Sequence, residues 1–151
     1  MSYGIIFWSN FSSAKKVVLL QKKIIGIITN TRLRNSCRDI FKNTHIMALY
    51  SQYIHLIILF MVNNKHLFTP NNETHKYNTR NNNNFHPTSA NLTKFNKGPY
   101  ISGIKLFNHL PQHLKNLDHN SVHFRFSLKR FLYHHSFYCK EEYYEYKETA
   151  E

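Results

Sequence analysis

Residues 12–30, SSAKKVVLLQKKIIGIITN, divide into an apolar side and a basic side when they are placed on a helix. The apolar side consists of Val17, Val18, Leu20, Ile24, Ile25, Ile27 and Ile28. The opposite side holds Leu19, Gly26 and four lysines that we call the lysine face, namely Lys15, Lys16, Lys22 and Lys23. Ser12 or Ser13 can cap the start of the helix through its hydroxyl. The stretch predicts an amphipathic helix whose lysine face is either a solvated surface over an ordinary core or a binding surface.

The chain carries a formal charge of +12, from twenty Lys and Arg residues against eight Asp and Glu residues. This excess favours polyanionic partners, with nucleic acid first and an anionic membrane surface second. The length of 151 residues allows one domain or part of one. Two cysteines are too few for a disulfide scaffold, and the start, MSYGIIFWSN, lacks the features of a signal peptide. We therefore expect a nuclear or cytoplasmic protein that is not secreted, and its abrupt apolar start is typical of a piece of something longer.

Two further basic groups follow the lysine face along the chain. Arg32 and Arg34 fall in a predicted turn, and Arg38 and Lys42 belong to a predicted short helix, 37–42. Lys and Arg side chains that neutralise phosphates supply most of the affinity for nucleic acid, so these groups predict contact with a nucleic-acid backbone. A solvated basic surface remains the alternative.

The most hydrophobic stretch, residues 46–62, predicts a buried core helix that continues to near Phe68. It approaches the length of a membrane span. One narrow polar arc nevertheless crosses it, which favours a helix buried within a protein, and we expect no membrane contact. The arc consists of Ala48, Ser51, Gln52 and His55.

Residues 69–98 are polar and show no helical period, which predicts a flexible Asn-rich linker. Within it, the segment HKYNTR combines the ring of Tyr77 with basic residues that include Arg80. Such a segment can become ordered on a phosphate backbone while its ring stacks on a base. A disordered tether is the alternative.

Helical periodicity returns after this linker. Residues 100–108 are apolar at helical spacing, and Ser121–His135 predicts a helix that buries one face and leaves Arg125, Lys129 and Arg130 exposed. The buried face is expected to consist of Phe124, Leu128, Phe131, Leu132 and His135. The acidic, tyrosine-rich tail, 139–151, predicts a short helix or a frayed end. The chain is therefore expected to be mainly α, a small helical bundle with a long disordered central loop.

Catalytic and metal-binding patterns are missing from the sequence. A phosphoryl-transfer polymerase needs clustered carboxylates for two Mg²⁺ ions, but Asp39 and Asp118 are isolated and most glutamates lie in the tail. There is no phosphate-binding glycine loop of the P-loop type and no nucleophile elbow. His134, His135 and Cys139 lie close together but lack the second cysteine of a zinc finger or knuckle. The sequence therefore predicts a binding surface, with no catalytic residue, metal or cofactor in this chain.

Eight segments, in order, resemble the C-terminal part of reverse transcriptases from insect non-LTR (LINE-type) retrotransposons of the jockey-like kind. They are YGIIFW (3–8), LQKKIIGII (20–28), SCRDIFK (36–42), LYSQYI (49–54), HKYNTR (75–80), GPYISGIKLFNHLP (98–111), LKRFLYHHSFY (128–138) and EEYYEY (141–146). None of them is a catalytic signature, but from first to last they span residues 3–146, nearly the whole chain.

The resemblance implies that the chain corresponds to the helical thumb and the region after it, which grip the template–primer duplex of RNA and DNA. It divides the chain into a thumb-like region, 1–68, the linker 69–98, a C-terminal helical region, 99–138, and the tail 139–151. The catalytic aspartates with their Mg²⁺ would belong to the palm, which with the endonuclease domain would lie upstream and is absent here.

Two positions depart from the family's pattern. Gly26 stands where a basic residue is usual, and Ser9 stands where glycine is usual after the Phe-Trp pair. A helical glycine costs about 1 kcal/mol against alanine, so Gly26 implies a weaker grip and a looser helix. Both departures fit a decaying or domesticated copy of such an element.

Three hypotheses follow. The first is a fragment of a reverse transcriptase (an RNA-directed DNA polymerase) that binds template–primer nucleic acid and has no activity alone. The second is a small basic helical nucleic-acid-binding module without a catalytic role, and the third is a non-functional remnant. The candidate nucleic-acid-binding residues are Lys15, Lys16, Lys22, Lys23, Arg32, Arg34, Arg38, Tyr77 and Arg80.

Overall fold

Helices make up most of the chain, which confirms the predicted small, mainly α bundle. The computed structural model describes residues 4–9, 14–30, 37–74, 84–87, 98–117 and 120–146. In order, the helices are α1 (Ile5–Trp8), α2 (Ala14–Ile28), α3 (Arg38–Asn43), α4 (Leu49–Asn63), a 3-10 turn (Lys65–Leu67), α5 (Asn71–Thr74), α6 (Pro99–Asn108), α7 (Gln112–Lys115), α8 (Ser121–His135) and α9 (Lys140–Glu145).

Helix α4 lies at the centre of the bundle. It contacts α1, α2, α6 and α8, and its apolar side chains are buried on several sides. Its buried residues are Leu49, Tyr50, Ser51, Tyr53, Ile54, Ile57, Ile58 and Met61. The prediction of a core helix is therefore confirmed. The helix was expected to continue to near Phe68, but α4 ends at Asn63 and a separate 3-10 turn, Lys65–Leu67, follows it. Among the described residues, no helix has the length and apolar character needed to cross a bilayer.

The polar arc of α4 faces protein. The Ser51 hydroxyl is fully buried and donates a long hydrogen bond of 3.4 Å to the carbonyl of Phe137. His55 is half-buried beneath α8, and its Nε2 atom is buried with no hydrogen-bond partner among the described residues. The arc therefore marks where α8 and the C-terminal segment dock on the central helix.

A glycine sets the distance between α4 and α6. A Cβ atom on Gly103 would lie 2.8 Å from Sδ and 3.0 Å from Cγ of the buried Met61. Because these distances are shorter than carbon and sulfur atoms tolerate, the missing side chain lets the two helices pack closely.

Helix α8 has the predicted bounds. The side chain of Asn120 caps its start by accepting from the backbone N–H of His123 at 3.2 Å. The expected inner face is confirmed for Phe124, Leu128 and Leu132, which are fully buried. Phe131 and His135 are partly covered, and Arg125, Lys129 and Arg130 are exposed as expected.

Helix α2 is turned away from the orientation that its apolar pattern suggests. Its buried residues are Ala14, Val18, Ile25 and Gly26, whereas Leu20, Ile24, Ile27 and Ile28 of the expected inner side are exposed. Gly26 is buried as well, so its predicted place at the centre of the exposed lysine face is wrong.

The cause of this orientation is Gln21, which lies toward the core. Its Nε2 donates to the carbonyl of Met47, and its Oε1 accepts from the backbone N–H of Leu49, each at 3.0 Å. The second bond satisfies an N–H of the first turn of α4, which has no partner within that helix. Two hydrogen bonds thus fix one side of α2 against the start of α4.

Two short parts of the expected linker are held in place by backbone contacts. Pro70 and Phe85 form an antiparallel bridge, which is flanked by the hydrogen bonds of Asn71 N–H to Asn84 and of His86 N–H to Thr69, at 2.9 and 2.8 Å. Residues 75–83 and 88–97, over which the flexible linker is also predicted, lie outside the described residues.

The side chain of Asn108 anchors Phe85. Its Oδ1 accepts from the N–H of Phe85 at 2.9 Å, and its Nδ2 donates to the carbonyl of the same residue at 2.8 Å. The Phe85 ring is buried, with its centroid 5.0 Å from that of Phe107. Lys115 reinforces the anchor by donating to Asn84 Oδ1 and to the carbonyl of Asn108, and burial lowers the pKa of its ammonium.

The C-terminal segment, of which α9 forms the last helix described, packs against the core. Tyr143 is fully buried, and its hydroxyl donates to the carbonyl of Leu106 in α6 at 3.0 Å. The ammonium of Lys140 lies 4.9 Å from the ring centroid of Tyr53 in α4. Of the two alternatives for the tail, the short helix is therefore present up to Glu145.

We predict that Asn108→Ala lowers the free energy of unfolding by about 1–3 kcal/mol, because it leaves the N–H and the carbonyl of Phe85 without their partners. Urea denaturation followed by circular dichroism measures this. Asn116→Ala is the matched control, since Asn116 is exposed and its side chain accepts a surface hydrogen bond from Gln112. Equal losses in the two variants would contradict the anchoring role of Asn108.

Candidate nucleic-acid interface

The four residues of the lysine face do not share one environment. Lys15, Lys16 and Lys23 are exposed, whereas Lys22 is half-buried. The ammonium of Lys22 lies 3.7 Å from the ring centroid of Tyr138, which is a cation–π contact. Lys22 is therefore held against the C-terminal segment, and the other three lysines point into solvent.

Tyr138 also contacts Arg38 of α3. The Arg38 guanidinium lies 5.1 Å from the same ring centroid, and its Nη2 atom lies 2.9 Å from Oε1 of Glu142. The second carboxylate oxygen of Glu142 accepts from the backbone N–H of Tyr138 at 2.9 Å. We call these four side chains, Lys22, Arg38, Tyr138 and Glu142, the Tyr138 cluster.

A second carboxylate of α9 lies near the lysine face. The pKa of Glu141 is held below its ordinary value, first by a hydrogen bond from its own backbone N–H and then by one from the thiol of Cys139. The positive charge of Lys15 adds to this lowering. The acidic helix α9 thus neutralises part of the basic surface formed by α2 and α3.

Within the part of the chain that the structure describes, Lys16 and Lys23 are exposed and have no carboxylate or aromatic contact of the kind that Lys22 and Arg38 make. They lie seven residues apart, two turns along the same side of α2. The apolar side chains beside them are also exposed, among them Ile27 with 78% of its surface accessible. The predicted contacts of Arg32, Arg34, Tyr77 and Arg80 lie outside the described residues.

A second basic surface, which the sequence did not single out as a site, lies between α3 and α8. It is an open groove of about 570 Å³ that we call the α3–α8 groove. Its walls are formed by Lys42, His45, Phe126, Lys129, Arg130, Tyr133 and His134. Little in the sequence points to this groove, because the residues of its two walls lie far apart along the chain and become neighbours only in the folded protein.

The geometry of the α3–α8 groove is fixed by the way α3 ends. His45 adopts a left-handed conformation (φ 52°), and the N–H groups of Ile46 and His45 bond back to Phe41 and Lys42 as in a Schellman motif. The hydroxyl of Tyr133 then donates to the carbonyl of His45 at 2.9 Å. This bond holds the end of α3 against the C-terminal end of α8.

His55 lies beneath the basic side of α8. Burial lowers its pKa from 6.5 to about 4, and the positive charges of Lys129 and Arg125 contribute to the shift. The backbone of Arg125 acts in the opposite direction. His55 is therefore neutral at pH 7, and its protonation is unfavourable in the folded chain.

Across the described residues, no three or more His, Cys, Asp and Glu side chains come together in a way that could hold a metal ion. Burial raises the pKa of the Cys139 thiol, which keeps it protonated near neutral pH. The surfaces described above are instead basic and aromatic.

Comparison of the chain with known protein families, with curated proteins and with solved structures gives no match.

We predict that the protein loses stability as the pH falls from about 6.5 to 4, since the unfolded chain binds a proton at His55 that the folded chain resists. His55→Gln removes this difference, and we expect it to recover about 1 kcal/mol of the loss between pH 7 and pH 5 after allowance for solvent screening. His135, whose pKa burial also lowers, accounts for part of what remains. Urea denaturation at the two pH values measures both proteins, and equal pH dependence would contradict the role of His55.

Proposed function

We propose that the chain binds nucleic acid and acts as the thumb-like, template–primer-gripping region of a non-LTR retrotransposon reverse transcriptase. The observation that carries this proposal is the position of Lys16 and Lys23, which project from one side of α2 into solvent. Exposed lysines arranged along a helix neutralise successive phosphates and release their counterions. The net charge of +12 acts in the same direction over longer distances.

The proposed role contains no chemical step in this chain. The sequence has no pair of aspartates, since Asp39 and Asp118 are isolated, so nucleotide addition with Mg²⁺ would belong to a palm domain that works together with it. The exposed apolar residues of α2, Leu20, Ile24, Ile27 and Ile28, are what a helix packed against such a domain would present. The ordered segments that resemble reverse transcriptases support the same assignment.

A stand-alone nucleic-acid-binding module is the second candidate. The observation that favours it is a core that the described residues complete among themselves. Tyr53 and Ile57 of α4 are buried together with Phe107 of α6 and Phe124 and Leu128 of α8. A bundle with a core of its own can fold and bind without a palm domain.

In either case the acidic helix α9 competes with nucleic acid. Glu142 pairs with Arg38, so a phosphate must displace this carboxylate to reach that predicted site residue, and the negative charge of Glu141 acts on Lys15 over a longer distance. The pair of Arg38 and Glu142 is partly exposed, and such a pair contributes about 0.5–1 kcal/mol. The competition is therefore modest and depends on salt concentration.

We predict that Lys16→Glu combined with Lys23→Glu weakens binding to an RNA–DNA hybrid duplex by about tenfold or more and lowers the salt dependence by about two phosphate contacts. A titration of fluorescence anisotropy against salt concentration measures both effects on protein checked for monodispersity. Lys22 is kept, because its replacement would also remove the contact with Tyr138.

Lys105→Glu is the control for the lysine variant, because Lys105 is exposed on α6, away from the lysine face. It changes net charge, and we expect it to weaken binding much less. Unchanged affinity in the double variant, with circular dichroism equal to wild type, would exclude α2 as the duplex-binding helix.

We predict that Glu142→Gln raises the affinity for the same duplex about two- to fivefold at low salt, since it frees Arg38 from its carboxylate. A glutamine oxygen can still accept from the N–H of Tyr138. Glu145→Gln makes the same charge change at an exposed position of α9 and is the matched control. If both variants gain equally, net charge alone accounts for the gain and Arg38 is not a contact.

A further inference from the structure

The α3–α8 groove combines two chemical features along its length. Lys42 from α3 and Lys129 and Arg130 from α8 supply three cationic side chains. Among the described residues that form its walls, there is no Asp or Glu. This contrasts with the surface of α2 and α3 near α9, where Glu142 pairs with Arg38 and the charge of Glu141 acts on Lys15. An anion can therefore enter this groove without displacing an internal partner of the kind that Glu142 provides.

Two aromatic rings add a flat apolar surface to these charges. Tyr133 is held in place by its hydrogen bond to His45, whose ring meets it edge-on with centroids 6.4 Å apart. The ammonium of Lys129 lies 5.6 Å from the centroid of the same ring. Phe126 lies on the same helix with 66% of its surface exposed. One ring is thus fixed by its neighbours, and the other is open to a ligand.

The geometry points to a binding site for one unpaired nucleotide of single-stranded RNA or DNA, with its base stacked on Phe126 and its phosphates on Lys42, Lys129 and Arg130. The assignment rests on the proposed nucleic-acid binding and adds a site away from the lysine face. A ring stacks on the face of a base only where that base is not already stacked in a duplex. The groove therefore selects an unpaired strand, whereas Lys16 and Lys23 contact the backbone of a duplex.

The size and charge of the groove agree with this ligand. A volume of about 570 Å³ falls within the range of about 300–1,000 Å³ that is usual for small-molecule sites. Three cations around an aromatic surface match the combination of phosphates and a base within one nucleotide. An anionic membrane surface would also meet the cations, and binding to lipid vesicles separates it from a nucleotide.

The test measures the affinity of the full chain for a short oligothymidylate and for an abasic oligonucleotide of the same length. We expect Phe126→Ala to weaken binding of oligothymidylate about tenfold, the loss of one stacked base, and to leave binding of the abasic strand unchanged. Val122→Ala is the matched control, because Val122 lies one turn earlier on α8, is 77% exposed and lies outside the groove. Equal effects of the two variants on oligothymidylate would overturn the site.

The cations are tested by Lys129→Gln with Arg130→Gln. We expect this double variant to weaken both oligonucleotides and to lower the salt dependence by about two contacts. Lys105→Gln with Arg125→Gln is the control, since both side chains are exposed and lie outside the walls of the groove and the lysine face. Equal losses with this control would mean that net charge, and not the groove, holds the strand.

Vesicles and duplex binding complete the test. Vesicles containing phosphatidylserine test membrane binding. If Phe126→Ala loses vesicle binding while its binding of oligothymidylate is unchanged, the ligand of the groove is a lipid surface and not a nucleotide.

The RNA–DNA hybrid duplex tests the proposed function separately. If Lys16→Glu with Lys23→Glu weakens duplex binding while Phe126→Ala has no effect on oligothymidylate, the groove assignment is wrong and the proposed function stands. If the wild-type chain binds neither nucleic acid, both fail.

Discussion

Covering α4 on several sides is the constraint on which the rest of the structure depends. Most side chains of this helix are apolar, and their exposure to water is unfavourable. Helices α1, α2, α6 and α8 therefore pack around it. Gly103 lets α6 approach closely, and Gln21 fixes the side of α2 that turns inward. Because the inner faces of these helices are committed to α4, their lysines and arginines lie outside. The positive surface is thus a consequence of how the core is built.

Most of the helical framework could be predicted from the sequence, because it rests on local periodicity. The bounds and inner face of α8 follow from apolar residues three and four apart, and the burial of α4 follows from its hydrophobicity. The orientation of α2 could not be predicted in this way. Its apolar residues cover a wide arc, and which half is buried depends on the hydrogen bonds that Gln21 donates to Met47 and accepts from Leu49, at the start of α4. The anchoring of Phe85 by Asn108 likewise joins segments that share no local pattern.

The candidate site likewise has a part that could be predicted from the sequence and a part that could not. The exposure of Lys16 and Lys23 could be predicted, since it needs only a helical period. The contacts of Lys22 and Arg38 with Tyr138 and Glu142 could not be predicted, because these partners lie a hundred residues or more away in the sequence. The α3–α8 groove was missed for the same reason. Its basic and aromatic residues become neighbours only after α3 docks on α8.

The buried Tyr143 has a consequence for the order of events during synthesis. Its segment completes contacts with α2, α3, α4 and α6, all of which leave the ribosome much earlier. Pairings that span so much of the chain come late in folding, because the intervening loops must close first. We expect the nascent chain to hold α4 only partly covered, with Lys22 and Arg38 still without Tyr138, until residues 137–146 emerge. Residues 137–146 therefore both complete the core and reduce the positive charge that the growing chain exposes near the ribosome.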